Sequence, residues 1–148
     1  MPAQNTVISE SVEKTLQIAE SIAKHFSNDL VLLTGSLGAG KTAFARGFAK
    51  GIGINANVTS PSYTLMNLYK TDDKTLLHLD LYRVNCLEEI IDIGLYEYLD
   101  SGVPCLIEWS EKLPELSSLK HLNVKIEKMS DENARTISWQ HFNARRQE

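Results

Sequence analysis

The stretch Leu30-Val31-Leu32-Leu33-Thr34-Gly35-Ser36-Leu37-Gly38-Ala39-Gly40-Lys41-Thr42 decides how this chain is read. Leu30, Val31, Leu32 and Leu33 form a short continuous apolar run, the pattern of a strand buried on both faces of a parallel sheet. The eight residues from Gly35 to Thr42 then fit G-x-x-x-x-G-K-[ST]. Glycines leave no side chain in the way of an anion, and they let successive backbone N–H groups turn inward as a cradle. Residues 41–51 read as a helix carrying Ala43, Phe44, Ala45, Phe48 and Ala49. Its first turn adds unpaired N–H groups and the positive end of the helix dipole. In such a loop a lysine reaches the outer phosphates and a threonine hydroxyl coordinates Mg²⁺. A plain glycine-rich turn is the competing reading, and the strand before the loop and the helix after it favour the cradle.

The other elements follow outward from the loop. Val12, Leu16, Ala19, Ile22, Ala23 and Phe26 recur at three-to-four spacing and predict a first helix, capped by Ser9 or Ser11 and ended at Asn28-Asp29. Gly51, Gly53 and residues 55–57 make a loop into Thr59-Ser60-Pro61-Ser62-Tyr63-Thr64. Residues 63–70 and 74–81 predict a hairpin joined at Asp72-Asp73. Asn85 with Glu88 fits a capping box and predicts one helix carrying Leu87, Ile90, Ile91, Leu95, Tyr98 and Leu99, stopped by Gly102. Residues 103–109 read as the next strand. Residues 123–129 and 136–141 read as the last two, around a polar turn at 130–133. The expected fold is α/β: a single P-loop NTPase domain over residues 1–148, with a mixed, mostly parallel sheet flanked by helices, a β-hairpin insertion and a flexible tail at 143–148.

A phosphate loop works best with a carboxylate at the end of a neighbouring strand. Asp80 closes Leu76-Leu77-His78-Leu79, and Glu108 closes Val103-Pro104-Cys105-Leu106-Ile107. Spacing leaves two readings for each, a group near a metal and phosphate, or a strand-end acid paired with a solvent or lysine partner. Two acids in this position support each other, because strand C-terminal ends face the ligand crevice of an open α/β sheet. Trp109 packs on that site, on a partner or in the core. His25, His78, His121 and His141 have no ligand spacing and read as structural or exposed, and Cys86 and Cys105 as incidental thiols.

Composition narrows the function classes. The 148 residues suit one domain, and 43% hydrophobic with 23% charged is an ordinary globular balance. With 15 Lys and Arg against 19 Asp and Glu, the net charge is −4, which argues against binding nucleic acid through bulk positive charge. No apolar run approaches the ~20 residues of a membrane span. Met1-Pro2-Ala3-Gln4-Asn5 has no signal-peptide character. Two cysteines make neither a disulfide scaffold nor a four-ligand zinc site, and the expected compartment is the reducing cytoplasm.

Leu37-Gly38-Ala39-Gly40-Lys41-Thr42, Ser60-Pro61-Ser62-Tyr63-Thr64, His78-Leu79-Asp80-Leu81-Tyr82-Arg83 and Ile107-Glu108-Trp109 occur in that order. The combination resembles the TsaE (YjeE) family, bacterial ATPases needed to make threonylcarbamoyladenosine in tRNA, over roughly residues 10–140. The resemblance implies that Gly38, Ala39, Gly40, Lys41, Thr42 and Ala43 hold ATP. It implies that Thr42 and Glu108 serve Mg²⁺, and that Asp80 stands near the metal and γ-phosphate. Lys41, Asp80 and Glu108 would then be the catalytic set. Ser60-Pro61-Ser62-Tyr63-Thr64 would be a switch-like segment, Trp109 would lie close to the centre, and Ser11 and Arg135 would be further nucleotide contacts. Ser36 stands where the family often has an aspartate, outside the fixed motif.

The resemblance further implies partner proteins, TsaD and TsaB, whose threonylcarbamoyl-transferase complex the ATPase resets, with tRNA met only indirectly and no membrane. Arg83 is a possible internal source of positive charge. Two other functions fit a phosphate loop: a small-molecule kinase, and a nucleotide-gated binding module with negligible turnover. No arginine-bearing lid insertion supports the kinase, and no N-K-x-D motif supports guanine.

Overall fold

A strand ends at Thr34 and a helix begins at Lys41, on either side of the glycine motif, as the pattern predicts. The computed structural model describes residues 4–26, 30–36, 38–54, 66–71 and 73–143. The loop at 55–57, the Ser60-Pro61-Ser62-Tyr63-Thr64 segment and the tail at 144–148 lie outside these residues, as do Asn28-Asp29, Leu37 and Asp72.

In chain order the elements are β1 (Gln4–Ser9), α1 (Val12–His25), β2 (Leu30–Thr34), α2 (Lys41–Gly51), β3 (Met66–Lys70), β4 (Thr75–Asp80), α3 (Leu87–Asp92), α4 (Leu95–Asp100) and β5 (Cys105–Glu108). Two short 3₁₀ turns, Ser110–Lys112 and Pro114–Ser118, lead to β6 (His121–Lys128) and β7 (Arg135–Phe142). The strands form one seven-stranded sheet in the order β1-β7-β6-β2-β5-β4-β3. Its centre is parallel: β6 and β5 flank β2, and β4 follows β5. Antiparallel strands extend both edges, β3 beside β4 and β7 then β1 beside β6.

Side-chain parity sorts the core into two layers. Val31, Leu33, Leu76, Leu106, Leu122, Val124 and Ile126 face α1 and α2. Leu30, Leu32, Leu77, Leu79, Cys105 and Ile107 face the opposite layer, with Ile90, Leu95, Leu113 and Leu116. Leu30 to Leu33 are all buried, which is why β2 carries no polar alternation.

α2 is held very close to α1. A Cβ on Gly47 would collide with the Leu16 carbonyl oxygen and lie 2.9 Å from Ala19 Cβ. One on Gly51, a turn later, would lie 2.5 Å from the Glu20 carbonyl oxygen and 2.6 Å from Ala23 Cβ. Small residues at these crossings let the two backbones nearly touch.

Three features differ from the sequence reading. β1 was not expected: Gln4-Asn5-Thr6-Val7-Ile8-Ser9 has no apolar alternation, because it is an edge strand whose Ile8 is exposed while Val7 packs against the core. The single helix expected after Asn85 is two, because Gly94 sits at φ 81° and ends the first before α4 begins. The capping box does not form either; Cys86 is the N-cap of α3, without a side-chain cap bond. Ser11 caps α1, accepting from the Lys14 N–H at 3.1 Å, while Ser9 is buried on Thr15 with hydroxyls 2.8 Å apart. Among the described residues no helix is long and apolar enough to cross a membrane.

Candidate functional site

Register places the site at the C-terminal ends of the parallel strands. Leu33 of β2 pairs with Glu108 of β5, and Glu108 pairs with Asp80 of β4. On the other side Thr34 pairs with Lys125 of β6, Lys128 with Arg135 of β7, and Arg135 with Ser9 of β1. The C-terminal ends of the parallel strands therefore converge with the phosphate-loop motif, Asp80, Glu108, Arg135 and the start of α1.

The loop itself is built for an anion. Gly40 precedes α2 at φ 108°, a left-handed conformation that a side chain disfavours. α2 has no side-chain N-cap and no acidic residue in its first turn, whereas Ser11 and Glu13 serve α1. The leading N–H groups of α2 are thus left for a ligand, and the dipole favours a negative one.

Lys41, the first residue of α2, is buried at 6% exposure. Its Nζ lies 3.9 Å from Glu108 Oε1 and 4.2 Å from the centre of the Trp109 ring. Among the described residues Nζ has no hydrogen-bond acceptor. A buried ammonium with three donors and no acceptor is costly, and a phosphate oxygen is the kind of group that satisfies it. Thr42 and Ala43 follow in the first turn, both half-buried.

The carboxylates are nearly as enclosed. Glu108 is 3% exposed and Asp80 6%. Glu108 Oε2 accepts a hydrogen bond from His78 Nε2 at 2.7 Å, and Oε1 faces Lys41. Asp80 Oδ1 accepts from the Tyr82 N–H at 2.9 Å, turning the chain at the end of β4. Trp109, directly after β5, holds φ 59°, uncommon for a bulky residue. That turn lays its ring between Lys41 and Tyr82, whose ring centre is 4.8 Å away.

Mg²⁺ fits this donor set. It keeps several waters and needs few protein ligands, so one threonine hydroxyl and one carboxylate oxygen suffice. Among the described residues there is no cluster of three His, Cys, Asp or Glu that would hold a metal alone.

Arg135 reaches the loop's backbone. Its Nε donates to the Ala39 carbonyl at 3.0 Å and its Nη2 to the Gly38 carbonyl at 3.4 Å. Sequence reading missed Lys128, whose Nζ would lie 3.1 Å from a Cβ on Gly38. Of the two readings offered for His78, structural or exposed, the first holds: His78 is buried and hydrogen-bonded to Glu108, 30 residues away, a pairing that no local motif signals. Arg83 is exposed. A separate cavity of about 600 Å³, lined by Lys24, Gly51, Lys74 and Pro104 among others, lies by the opposite ends of β4 and β5 and shares none of these residues.

A glycine loop between a parallel strand and a helix, with acids ending the neighbouring strands, defines a P-loop fold. The crystal structure of Bacillus subtilis YdiB superposes with a TM-score of 0.74 at 31% identity, covering 95% of this chain and 87% of that one. Residues 9–137 match the family model described as threonylcarbamoyl adenosine biosynthesis protein TsaE. The tRNA threonylcarbamoyladenosine biosynthesis protein TsaE of Rickettsia felis is 41% identical over 134 residues, 89% of this chain and 77% of the relative. That of Bacillus subtilis is 35% identical over 127 residues, 86% of this chain and 78% of the relative. The chain belongs to the TsaE family.

Proposed function

We propose that this protein is a Mg²⁺-dependent ATPase that serves tRNA threonylcarbamoyladenosine biosynthesis in the cytoplasm by binding and resetting the TsaD–TsaB threonylcarbamoyl-transferase complex. The observation that carries the ATP-binding part is the buried Lys41 ammonium, lacking an acceptor among the described residues at the foot of the glycine loop. Membership of a family named for this modification supports the pathway.

In this reading the N–H groups of the loop and of the first turn of α2 hold the phosphates, with Gly38, Ala39, Gly40 and Ala43 leaving room for them. Lys41 supplies fixed positive charge to the outer phosphates, where charge builds up as the phosphoryl group leaves. Thr42 and Glu108 would hold Mg²⁺, which would neutralise phosphate charge. Asp80 stands beside Glu108 in register and serves to orient the attacking water. Arg135 braces the loop by holding two of its carbonyls, and Ser11, just before α1, would contact the base end of the nucleotide. Trp109 covers the lysine and limits water at the centre. Turnover by the lone chain is weak and rises when the partner complex completes the site.

The test is ATP hydrolysis with and without TsaD–TsaB, together with nucleotide-dependent pull-down of that complex. Stimulated turnover and retention with ATP are the expected results. No stimulation together with no binding would refute the partner assignment. Lys41→Ala is expected to weaken nucleotide binding, whereas Glu108→Ala depresses hydrolysis and leaves binding largely in place. Intact turnover in Glu108→Ala would overturn the metal role of Glu108, whereas negligible turnover in the parent, even with TsaD–TsaB bound, would favour a nucleotide-gated binding module.

A further inference from the structure

We propose that His78 is the positioning residue for Glu108: it locks one carboxylate oxygen so that the other faces the phosphate loop. This rests on the reading of the site as an ATPase centre, and it adds a residue which that reading does not use.

His78 lies inside β4 with 0% exposure, paired with Leu106 of β5 and Asn67 of β3. Strand parity puts His78, Asp80, Leu106 and Glu108 on one face of the sheet, the face that Leu76 and Leu106 share with α1 and α2. From there His78 Nε2 reaches Glu108 Oε2 at 2.7 Å, the short end of the range for a nitrogen donor and typical of a charge-assisted bond. A carboxylate only accepts, so the ring proton sits on Nε2. Nδ1 has no partner among the described residues. The ring is held on its flank by Tyr69, 6.2 Å between centres.

This bond decides what Glu108 can do. A glutamate has three side-chain torsions, and an unrestrained one at the end of a strand would place its carboxylate in several ways. With Oε2 fixed to His78, Oε1 is left 3.9 Å from Lys41 Nζ, on the side of the glycine loop. Glu108 thus presents one oriented oxygen to the site. Partners of this kind, hydrogen-bonded behind a working carboxylate, are worth roughly 10- to 100-fold in activity in metal sites.

The experiment compares the full-length parent with His78→Phe, His78→Gln, Glu108→Ala and the His78→Phe/Glu108→Ala double variant. Each is assayed for ATP turnover with TsaD–TsaB, for affinity toward a fluorescent ATP analogue, and for melting temperature. Phenylalanine keeps the ring and loses the donor, whereas glutamine restores a donor nitrogen. His78→Phe should lose roughly 10- to 100-fold in turnover with analogue affinity within about threefold of the parent. His78→Gln should recover most of that loss. In the Glu108→Ala background His78→Phe should cost nothing further, the non-additivity expected of residues acting as a unit. A readout independent of activity is ¹⁵N NMR of histidine-labelled protein, in which His78 should show the Nε2–H tautomer with a shift that moves in Glu108→Gln. Full turnover in His78→Phe, equal loss in His78→Phe and His78→Gln, an additive loss in the double variant, or a His78 signal indifferent to Glu108→Gln would each overturn the proposal. A parent that hydrolyses no ATP even with the complex would instead refute the ATPase reading.

Discussion

Lys41 and Glu108 attract each other by about 4 kcal/mol at 4 Å if the local dielectric is near 20. Much of that is offset by the cost of burying both groups, so the pair is poor evidence for stability and better evidence for a site awaiting a further charge. The cysteines allow a simpler check at the same scale. Burial pushes the Cys105 thiol from 9.0 up to about 12, while Cys86 is exposed. Cys105 therefore stays protonated at neutral pH, and a thiol reagent should titrate one cysteine in the native chain and two after denaturation. Two rapid equivalents in the native state would contradict this packing. The sign of the linkage follows. The unfolded thiol ionises first, so Cys105 contributes its full stability below pH 9.0 and loses it as pH rises toward about 12. Cys105→Ala should show a shallower fall in melting temperature across that window than the parent; an identical fall would remove Cys105 as a cause.

The helix pair carries the loop at the scale of elements. Because backbone atoms of α1 occupy the space where a Cβ of Gly47 would stand, Gly47→Ala should destabilise the fold by about 1–3 kcal/mol. Chemical denaturation measures it, and an unchanged midpoint would mean the helices sit farther apart. The β6–β7 hairpin acts on the loop from the other side. Arg135→Ala removes the bonds to Ala39 and Gly38, each worth about 0.5–1.5 kcal/mol and together about 1–3 kcal/mol, so nucleotide affinity should fall roughly 5- to 150-fold. Hydrogen exchange at residues 38–42 should quicken in the same variant; unchanged affinity and exchange would leave Arg135 without a bracing role.

These elements differ in how far they were legible. β2, the loop and α2 could be read because periodicity, glycine placement and the lysine agree at each level. The hairpin of β3 and β4 showed through its acidic turn. β1 was silent because an edge strand with one face in water needs almost no apolar residues. Gly94 was visible but sat inside a strong helical stripe that concealed the break.

For the whole molecule, pairing across strands built what sequence could only list. Asp80 and Glu108 read as two strand ends, and register made them neighbours. His78 showed no ligand spacing, since its meaning depends on a partner in another strand. The charge of −4 has its own consequence. The isolated chain should bind tRNA weakly, with its role in modification exerted through protein contacts; a tight, salt-dependent affinity in a filter-binding assay would contradict that.

The central claim is that the glycine loop and Lys41 grip a triphosphate. Isothermal titration calorimetry of the full chain with Mg-ATP tests it most directly. The account predicts saturable one-to-one binding in the parent and a loss of at least about tenfold in Lys41→Ala, since a charge-assisted contact is worth roughly 1.5–3 kcal/mol. Absence of binding heat in the parent at several temperatures, or equal affinity in a folded Lys41→Ala, would contradict it.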